Sequence, residues 1–140
     1  MTDANFDPQR FLAAQSATYD EALAELRRGR KTSHWMWFVF PQIAGLGRSS
    51  MAQHYALAGL ADARAYLAHE TLGARLVEAA RALLALPGSD PVPVLGGVDA
   101  QKLQSCMTLF ARAAPHEEVF TAVLDKYFGG QFDEGTTSRL

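Results

Sequence analysis

A glycine-rich turn followed by two serines is the part of the sequence best suited to binding a ligand. It contains Gly45, Gly47, Arg48, Ser49 and Ser50, and it directly precedes a predicted helix. Glycines let a ligand approach the backbone closely, and the free N–H groups at the start of a helix attract anions. The pattern matches neither a Walker loop nor a dinucleotide-binding fingerprint. Two interpretations therefore stand, a site for phosphate or carboxylate and an ordinary turn with a serine cap.

An aromatic run, residues 35–40, lies just before that turn. Three side chains in or beside the run suit a planar ligand: His34, Trp37 and Gln42. Trp37 can stack on a base while Gln42 hydrogen-bonds the edge of the base, and His34 is the best candidate acid or base. Because aromatic side chains at this density usually pack in a core, we expect the other aromatic residues of the run to be structural.

Two further places combine charge with helical spacing. Asp99 and Lys102 put a carboxylate and an ammonium group on one helical turn, and Ser105 adds a hydroxyl one turn later. Asp99 and Lys102 are candidates for catalysis, and an N-cap with a surface ion pair is the alternative. Arg75 lies within an apolar helical stripe, where it can bind an anion or extend its charged end to solvent.

Length and composition set limits on the fold and the function. The chain has 140 residues, of which 49% are hydrophobic, and a net charge of −2. We treat residues 1–140 as one domain, which is long enough to fold without disulfides or structural metal. The charge argues against generic nucleic-acid binding. Cys106 is the only cysteine, and the histidines lack zinc-binding spacing, so we expect no metal and no cofactor.

The compartment is predicted from two features. The N-terminal residues lack the basic start and apolar stretch of a secretory signal, and the longest apolar run, residues 35–41, is too short to span a membrane. We therefore expect a cytoplasmic protein with no membrane contact. These patterns do not set the oligomeric state.

Apolar residues at helical spacing predict an all-α fold, a compact bundle of about six to eight short helices. Asp7 and Pro8 open the first helix, Thr18 begins the second, and Gly29 ends it. Further helices are predicted from Ser49 or Ser50 to Ala58, near Leu60 to Leu67, from Leu72 to Leu83, after Pro91, from Asp99 to Ala114, from Val119 to Tyr127 and after Asp133.

The aromatic run allows two secondary structures. Its composition favours a strand by propensity. A single strand without a partner would leave its backbone unpaired, whereas a helix satisfies its own hydrogen bonds. We therefore favour a short buried helix that begins at Ser33 and ends before Pro41.

Several stretches of the sequence resemble an uncharacterised bacterial family, the domain of unknown function 1810. They are SHWMWFVFPQIAGLG at 33–47, YLAH at 66–69, LGARL at 72–76 and KLQSCMTLF at 102–110. The resemblance begins near Phe6, and the family-like domain covers residues 6–135. It implies a mainly helical fold, which agrees with a helix in the aromatic run, and it implies no activity.

Two known functions can be compared with this sequence, inhibition of calpain and cleavage of a bond to ADP-ribose. Some family members are called calpastatin, a calpain inhibitor, but such inhibitors are disordered polar chains and this composition requires a folded core. A short stretch, AQHY at 52–55, is similar to the Ala-Glu-His-Tyr motif of the NADAR domains, some of which cleave an N-glycosidic bond to ADP-ribose. Gln53 replaces the glutamate, so a shared hydrolytic mechanism would lack its carboxylate.

These patterns predict a pocket for a nucleotide-like or ADP-ribose-like ligand that carries phosphate, with hydrolysis of that ligand as a further expectation. The predicted binding residues are His34, Trp37, Gln42, Gly45, Gly47, Arg48, Ser49, Ser50 and Arg75, and the catalytic candidates are His34, Asp99 and Lys102. The alternative is a non-catalytic interaction module, such as a toxin–antitoxin or phage-defence accessory. On the ligand hypothesis, we expect Gly47→Val to block an anion while leaving the fold intact.

Overall fold

Apolar residues at helical spacing form ten helices within residues 6–140, the part of the chain that the computed structural model describes. They are α1 (Pro8–Ser16), α2 (Tyr19–Arg28), α3 (Met36–Val39), α4 (Ser50–His54), α5 (Leu60–Ala68), α6 (Glu70–Ala85), α7 (Val92–Leu95), α8 (Gly97–Ala113), α9 (Glu118–Phe128) and α10 (Glu134–Thr137). The all-α prediction is confirmed. The ten helices of the described chain exceed the predicted six to eight, because four of the segments predicted to be helical, α3, α4, α7 and α10, form separate helices of only four or five residues.

Capping residues mark several of the helix boundaries. The Asp7 side chain accepts a hydrogen bond from a backbone amide of α1, and Gly29 ends α2 with a φ of 79°. Thr18 is the N-cap of α2 as predicted, but its side chain makes no capping hydrogen bond. The prediction that Asp99 caps α8 is wrong, because the helix begins at Gly97 and Asp99 lies within its first turn.

The aromatic run forms a short buried helix, as we favoured, although α3 begins at Met36 rather than at Ser33. Trp35, Phe38 and Phe40 are buried, which confirms their structural role. Trp37 is only partly buried. The run therefore supplies five side chains to the core, those of Trp35, Met36, Phe38, Val39 and Phe40, and Trp37 packs against the edge of the core.

The helix predicted to continue to Ala58 is shorter, since α4 ends at His54. Leu57 instead forms an isolated parallel bridge with Ile43. The Leu57 amide donates to the Gln42 carbonyl at 2.9 Å, and the Ala44 amide donates to the Leu57 carbonyl at 2.8 Å. These two long-range hydrogen bonds fix the segment that leads from α3 to the glycine turn.

The core is organised around the two longest helices. α8 packs against α5, α7, α9 and α10, and α6 packs against α2, α5 and α9. Aromatic rings fill the space between the helices, and Tyr66 is in contact with Phe11 at 5.2 Å and with Phe110 at 5.5 Å between ring centroids. Each such buried side chain stabilises the fold by about 1.5–3 kcal/mol.

A fully buried carboxylate, Glu25 at the end of α2, ties this core to the segment before α3. It accepts hydrogen bonds from the Thr32 amide at 2.7 Å, from the Ser33 amide and hydroxyl, and from the Trp35 indole at 3.0 Å. Buried charges are tolerated only when they are hydrogen-bonded in this way. Glu25 therefore sets the path of residues 32–35 and the position of the Trp35 ring.

Burial raises the pKa of the Glu25 carboxyl, but the hydrogen bonds from Ser33, Thr32 and Trp35 outweigh it and lower the pKa to about 2. In the unfolded chain the same group titrates near 4.5. A carboxyl with a lower pKa in the folded state stabilises the fold above the unfolded value and loses that contribution as the pH falls. The contribution of Glu25 should therefore disappear between about pH 4.5 and about pH 2.

We expect Glu25→Gln to lower the free energy of unfolding at pH 7 by about 3 kcal/mol, which corresponds to this pKa difference. Urea unfolding at a series of pH values measures the effect. The variant should also lose most of the pH dependence between pH 4.5 and pH 2. Glu21→Gln, on the exposed face of the same helix, is the matched control and should keep the wild-type profile. A wild-type pH dependence in Glu25→Gln would show that another group causes the acid sensitivity.

Helices α5 and α6 are joined by a single residue, His69, whose Nδ1 accepts hydrogen bonds from the Thr71 amide at 3.2 Å and the Leu72 amide at 3.3 Å. Beside this joint the helices approach very closely. A Cβ atom at Gly73 would lie 2.1 Å from the Leu67 carbonyl oxygen. Only glycine is compatible with this contact.

Gly73→Ala should therefore destabilise the protein by about 1–3 kcal/mol, because the α5–α6 joint has to open. Gly97→Ala is the matched control, since a Cβ atom there meets nothing within 4 Å. The control should be neutral or slightly stabilising through the unfolded state. Thermal unfolding of both variants measures the difference, and equal midpoints would argue against a tight joint.

Candidate functional site

A small cleft lined mainly by polar side chains lies where the segment after α3 meets α8 and the start of α10. This polar cleft has a volume of about 260 Å³ and is lined by Gln42, Leu46, Gly47, Val98, Gln101, Lys102, Ser105 and Asp133. Three of the predicted residues, Gln42, Gly47 and Lys102, thus come together here. They come from segments that are distant in sequence, and α8 supplies one complete wall.

Lys102 is held at this wall by two neighbours. Its Nζ lies 3.3 Å from Asp99 Oδ1, and it lies 5.0 Å from the centroid of the Trp37 ring. The side chain is only 19% exposed. An ammonium group over the face of an indole is attracted by the electron density of the ring. The predicted Asp99–Lys102 pair therefore exists, and it is more buried than the surface pair we considered as the alternative.

A second lysine shares the same carboxylate. Lys31 Nζ lies 2.9 Å from Asp99 Oδ2 and 5.1 Å from the centroid of the Trp35 ring. We call Lys31, Asp99 and Lys102 the lysine–aspartate triad. Its side chains are 9%, 18% and 19% exposed, so water screens them only partly. Two positive charges and one negative charge leave the triad with an excess positive charge beside the cleft.

The opposite side of the cleft is built around Asp133. Its Oδ2 accepts hydrogen bonds from the Ser105 hydroxyl at 2.9 Å, from the Thr136 amide at 3.1 Å and from the Thr136 hydroxyl at 2.6 Å. The Asp133 amide donates to the Thr108 hydroxyl at 2.9 Å. Asp133 therefore caps α10, anchors it to α8 and lines the cleft at the same time.

In the predicted turn, Gly47 is required by packing and Gly45 by its backbone conformation. A Cβ atom at Gly47 would lie 2.3 Å from the Ala52 Cβ, so Gly47→Val would disturb α4, and our expectation of an intact fold is wrong. Gly45 has a φ of 98°, and its carbonyl accepts a hydrogen bond from Arg139 at 3.3 Å. The turn is thus held between α4 and the C-terminal residues.

The serines of the turn act as a helix cap. Ser49 is the N-cap of α4, and its hydroxyl accepts a hydrogen bond from the Ala52 amide at 3.1 Å. Arg48, Ser49 and Ser50 are at least partly exposed and do not belong to the lining of the polar cleft. Because α4 has only five residues, its dipole is small. The prediction that one of these serines caps the helix is therefore confirmed for Ser49.

His34 and Arg75 lie outside the lining of the polar cleft. His34 is exposed in the segment before α3. Arg75 Nη1 donates to the Gln15 side chain at 3.3 Å, and the guanidinium lies 5.0 Å from the centroid of the Tyr19 ring. Gln15 in turn donates to the Phe38 carbonyl at 2.6 Å. Arg75 thus connects α6 to α1 and α2 and supports the core.

Tyr19 belongs to the same network. Burial and the hydrogen bond to Glu78 raise the pKa of the Tyr19 hydroxyl, so it acts as a donor. The hydroxyl lies 2.6 Å from Glu78 Oε1 and 3.0 Å from the Arg75 carbonyl. The network links α2 to α6 through polar side chains at the edge of the core.

A second cleft was not predicted from the sequence. This large cleft has a volume of about 1130 Å³ and is formed by α5, α6 and the residues that lead into α9, with Arg27 at one side. Its lining residues read in the sequence as ordinary exposed and half-exposed helix positions. The only signal for it is the series of small residues on the solvent side of α6, such as Ala74 and Ala85.

The described residues contain neither a metal-binding cluster nor a membrane-spanning helix. Within residues 6–140 no group of three His, Cys, Asp or Glu side chains is arranged to hold a metal ion. No helix in the same range is both long and apolar enough to cross a membrane.

Comparison with known proteins places the chain in a family. Residues 5–140 match the family described as protein of unknown function, DUF1810. The fold is similar to the crystal structure of Rv1873, a conserved hypothetical protein from Mycobacterium tuberculosis, with a TM-score of 0.94 and 46% sequence identity over 96% of both chains. No curated protein matches the chain. The match covers nearly the whole sequence, and the chain therefore belongs to the DUF1810 family.

Proposed function

We propose that the polar cleft binds a small molecule that carries a phosphate group, of the type found in nucleotides and sugar phosphates. The lysine–aspartate triad carries this proposal. Lys102 lines the cleft. Its partner in the triad, the Asp99 carboxylate, also pairs with Lys31. Asp133 also lines the cleft, but hydrogen bonds from Ser105 and Thr136 already satisfy its Oδ2. An anion beside Lys102 would balance the excess positive charge of the triad, and the partial burial of the triad strengthens that attraction.

The size of the cleft limits the ligand. Pockets for drug-sized ligands usually have volumes of about 300–1,000 Å³, and the polar cleft has about 260 Å³. It can take a phosphate together with one sugar ring or one base. We propose that any further part of an ADP-ribose-like or dinucleotide ligand extends over the surface. Because Lys102 lies over the Trp37 ring, the tryptophan would orient the ammonium group rather than stack on a base.

The remaining polar groups suit the hydroxyl groups of a sugar. Gln42 and Gln101 offer amide donors and acceptors at the cleft wall. The described hydrogen bonds of the Asp133 side chain all use Oδ2, which leaves Oδ1 to accept a hydrogen bond from a ligand. Asp99 and Asp133 both have structural partners, so the geometry supports binding better than hydrolysis.

We expect a phosphate-bearing ligand to raise the thermal unfolding midpoint of the wild-type protein. AMP, ADP-ribose, ribose 5-phosphate and inorganic phosphate are the probes, each raised to millimolar concentration. A ligand present at 100 times its Kd stabilises the fold by about 2.7 kcal/mol. Lys102→Met should abolish the shift, because it removes the ammonium group at the cleft. The remaining Lys31–Asp99 pair keeps this variant folded.

Arg28→Gln, an exposed change at the end of α2, is the control and should respond to the ligand like the wild type. A shift that persists in Lys102→Met would place the ligand elsewhere and refute the proposal. Absence of a shift with all four probes would also refute it and favour the interaction module.

A further inference from the structure

We propose that the large cleft binds an amphiphilic anion, a molecule with an apolar body and a single carboxylate or phosphate head. This site is separate from the polar cleft and shares none of its lining residues. Its volume of about 1130 Å³ can hold a complete small molecule. Three features of the large cleft support this site: the joint between α5 and α6 at one end, the apolar floor, and the excess of arginines over glutamates in the lining.

The joint between α5 and α6 closes one end of the cleft. Gly73 and Leu67 are in close contact there, and both line the cleft together with Ala68 and Ala74. Since only His69 separates the two helices, they meet at this point. The space between them is therefore a built feature of the fold that depends on a glycine.

The floor of the cleft is apolar. Ala74, Val77 and Ala85 lie on the solvent side of α6, and each is at least partly exposed. Leu67 of α5 and Leu86 beyond the end of α6 extend this apolar surface. Because an alanine side chain ends at Cβ, the space next to the helix stays open. An alkyl or aryl body lying there would gain about 25 cal/mol for each Å² of apolar surface removed from water.

The charged groups around the floor favour an anion. Arginines 27, 64 and 81 line the cleft together with two glutamates, Glu78 and Glu117. Glu78 already has two partners, Arg27 at 3.8 Å and the Tyr19 hydroxyl at 2.6 Å. Arg64 and Arg81 are therefore the cations left to meet a ligand, against the single carboxylate of Glu117.

Arg64 is held in place for this role. Its Nε donates a hydrogen bond of 3.1 Å to the Ala113 carbonyl at the end of α8. That bond leaves the two terminal guanidinium nitrogens for a bidentate contact with a carboxylate or phosphate. The apolar floor and the oriented guanidinium together match an amphiphile with one anionic end.

Calorimetric titration with octanoate, octyl phosphate and octan-1-ol tests this inference. The three probes share one apolar body, and the alcohol lacks the charge. We expect the wild type to bind at least one of the anions about tenfold or more tightly than the alcohol. The tighter of the two anions identifies the head group. The double variant Arg64→Gln/Arg81→Gln should lose this preference but keep the weak binding of the alcohol.

Val77→Glu places a charge on the floor and should weaken all three probes, whereas Arg28→Gln should leave them unchanged. Thermal unfolding of each variant confirms that it is folded. The inference is wrong if the alcohol binds as tightly as both anions, if no probe binds at millimolar concentration, or if the double variant behaves like the wild type. It is also wrong if light scattering shows a dimer that Val77→Glu dissociates, because the cleft is then a surface for a second copy.

Discussion

The buried carboxylate of Glu25 is the interaction on which the rest of this structure depends. The negative charge of this side chain lies in the core and is surrounded by hydrogen-bond donors from residues 32–35. Those residues lead directly into α3, so the same carboxylate that lies near the end of α2 also places Trp35 and, through it, Lys31. Without these hydrogen bonds, residues 32–35 would not be held in one conformation, because they form no helix of their own.

Local signals in the sequence predict most of the helices and miss the contacts between them. Asp7 and Gly29 mark boundaries because capping and backbone geometry act over a few residues. The aromatic run could be assigned to a helix only because a strand would have lacked a partner. The end of α4 was predicted too late because Leu57 is used by a long-range bridge that competes with the helix.

In the candidate site, too, local pairs could be predicted from the sequence and long-range contacts could not. The Asp99–Lys102 pair follows from helical spacing, but nothing in the sequence connects Lys31 to Asp99. Glu25 had a detectable signal, since Ala22, Glu25 and Leu26 share the apolar face of α2 and an acid on such a face needs partners. The large cleft had almost no signal in the sequence, because a cavity results from how helices pack against one another and not from the residues of any one helix.

The two clefts also differ in how far apart their parts lie along the chain. The large cleft is built mainly by α5 and α6, which are consecutive, so its closed end can form as soon as that hairpin folds. The polar cleft joins Gln42 and Gly47 to Asp133, and the neighbouring contact of Gly45 with Arg139 spans 94 residues. Contacts of such long range form slowly. On a ribosome, the closed end of the large cleft can thus form before Asp133 and Arg139, which complete the region of the polar cleft, have been synthesised.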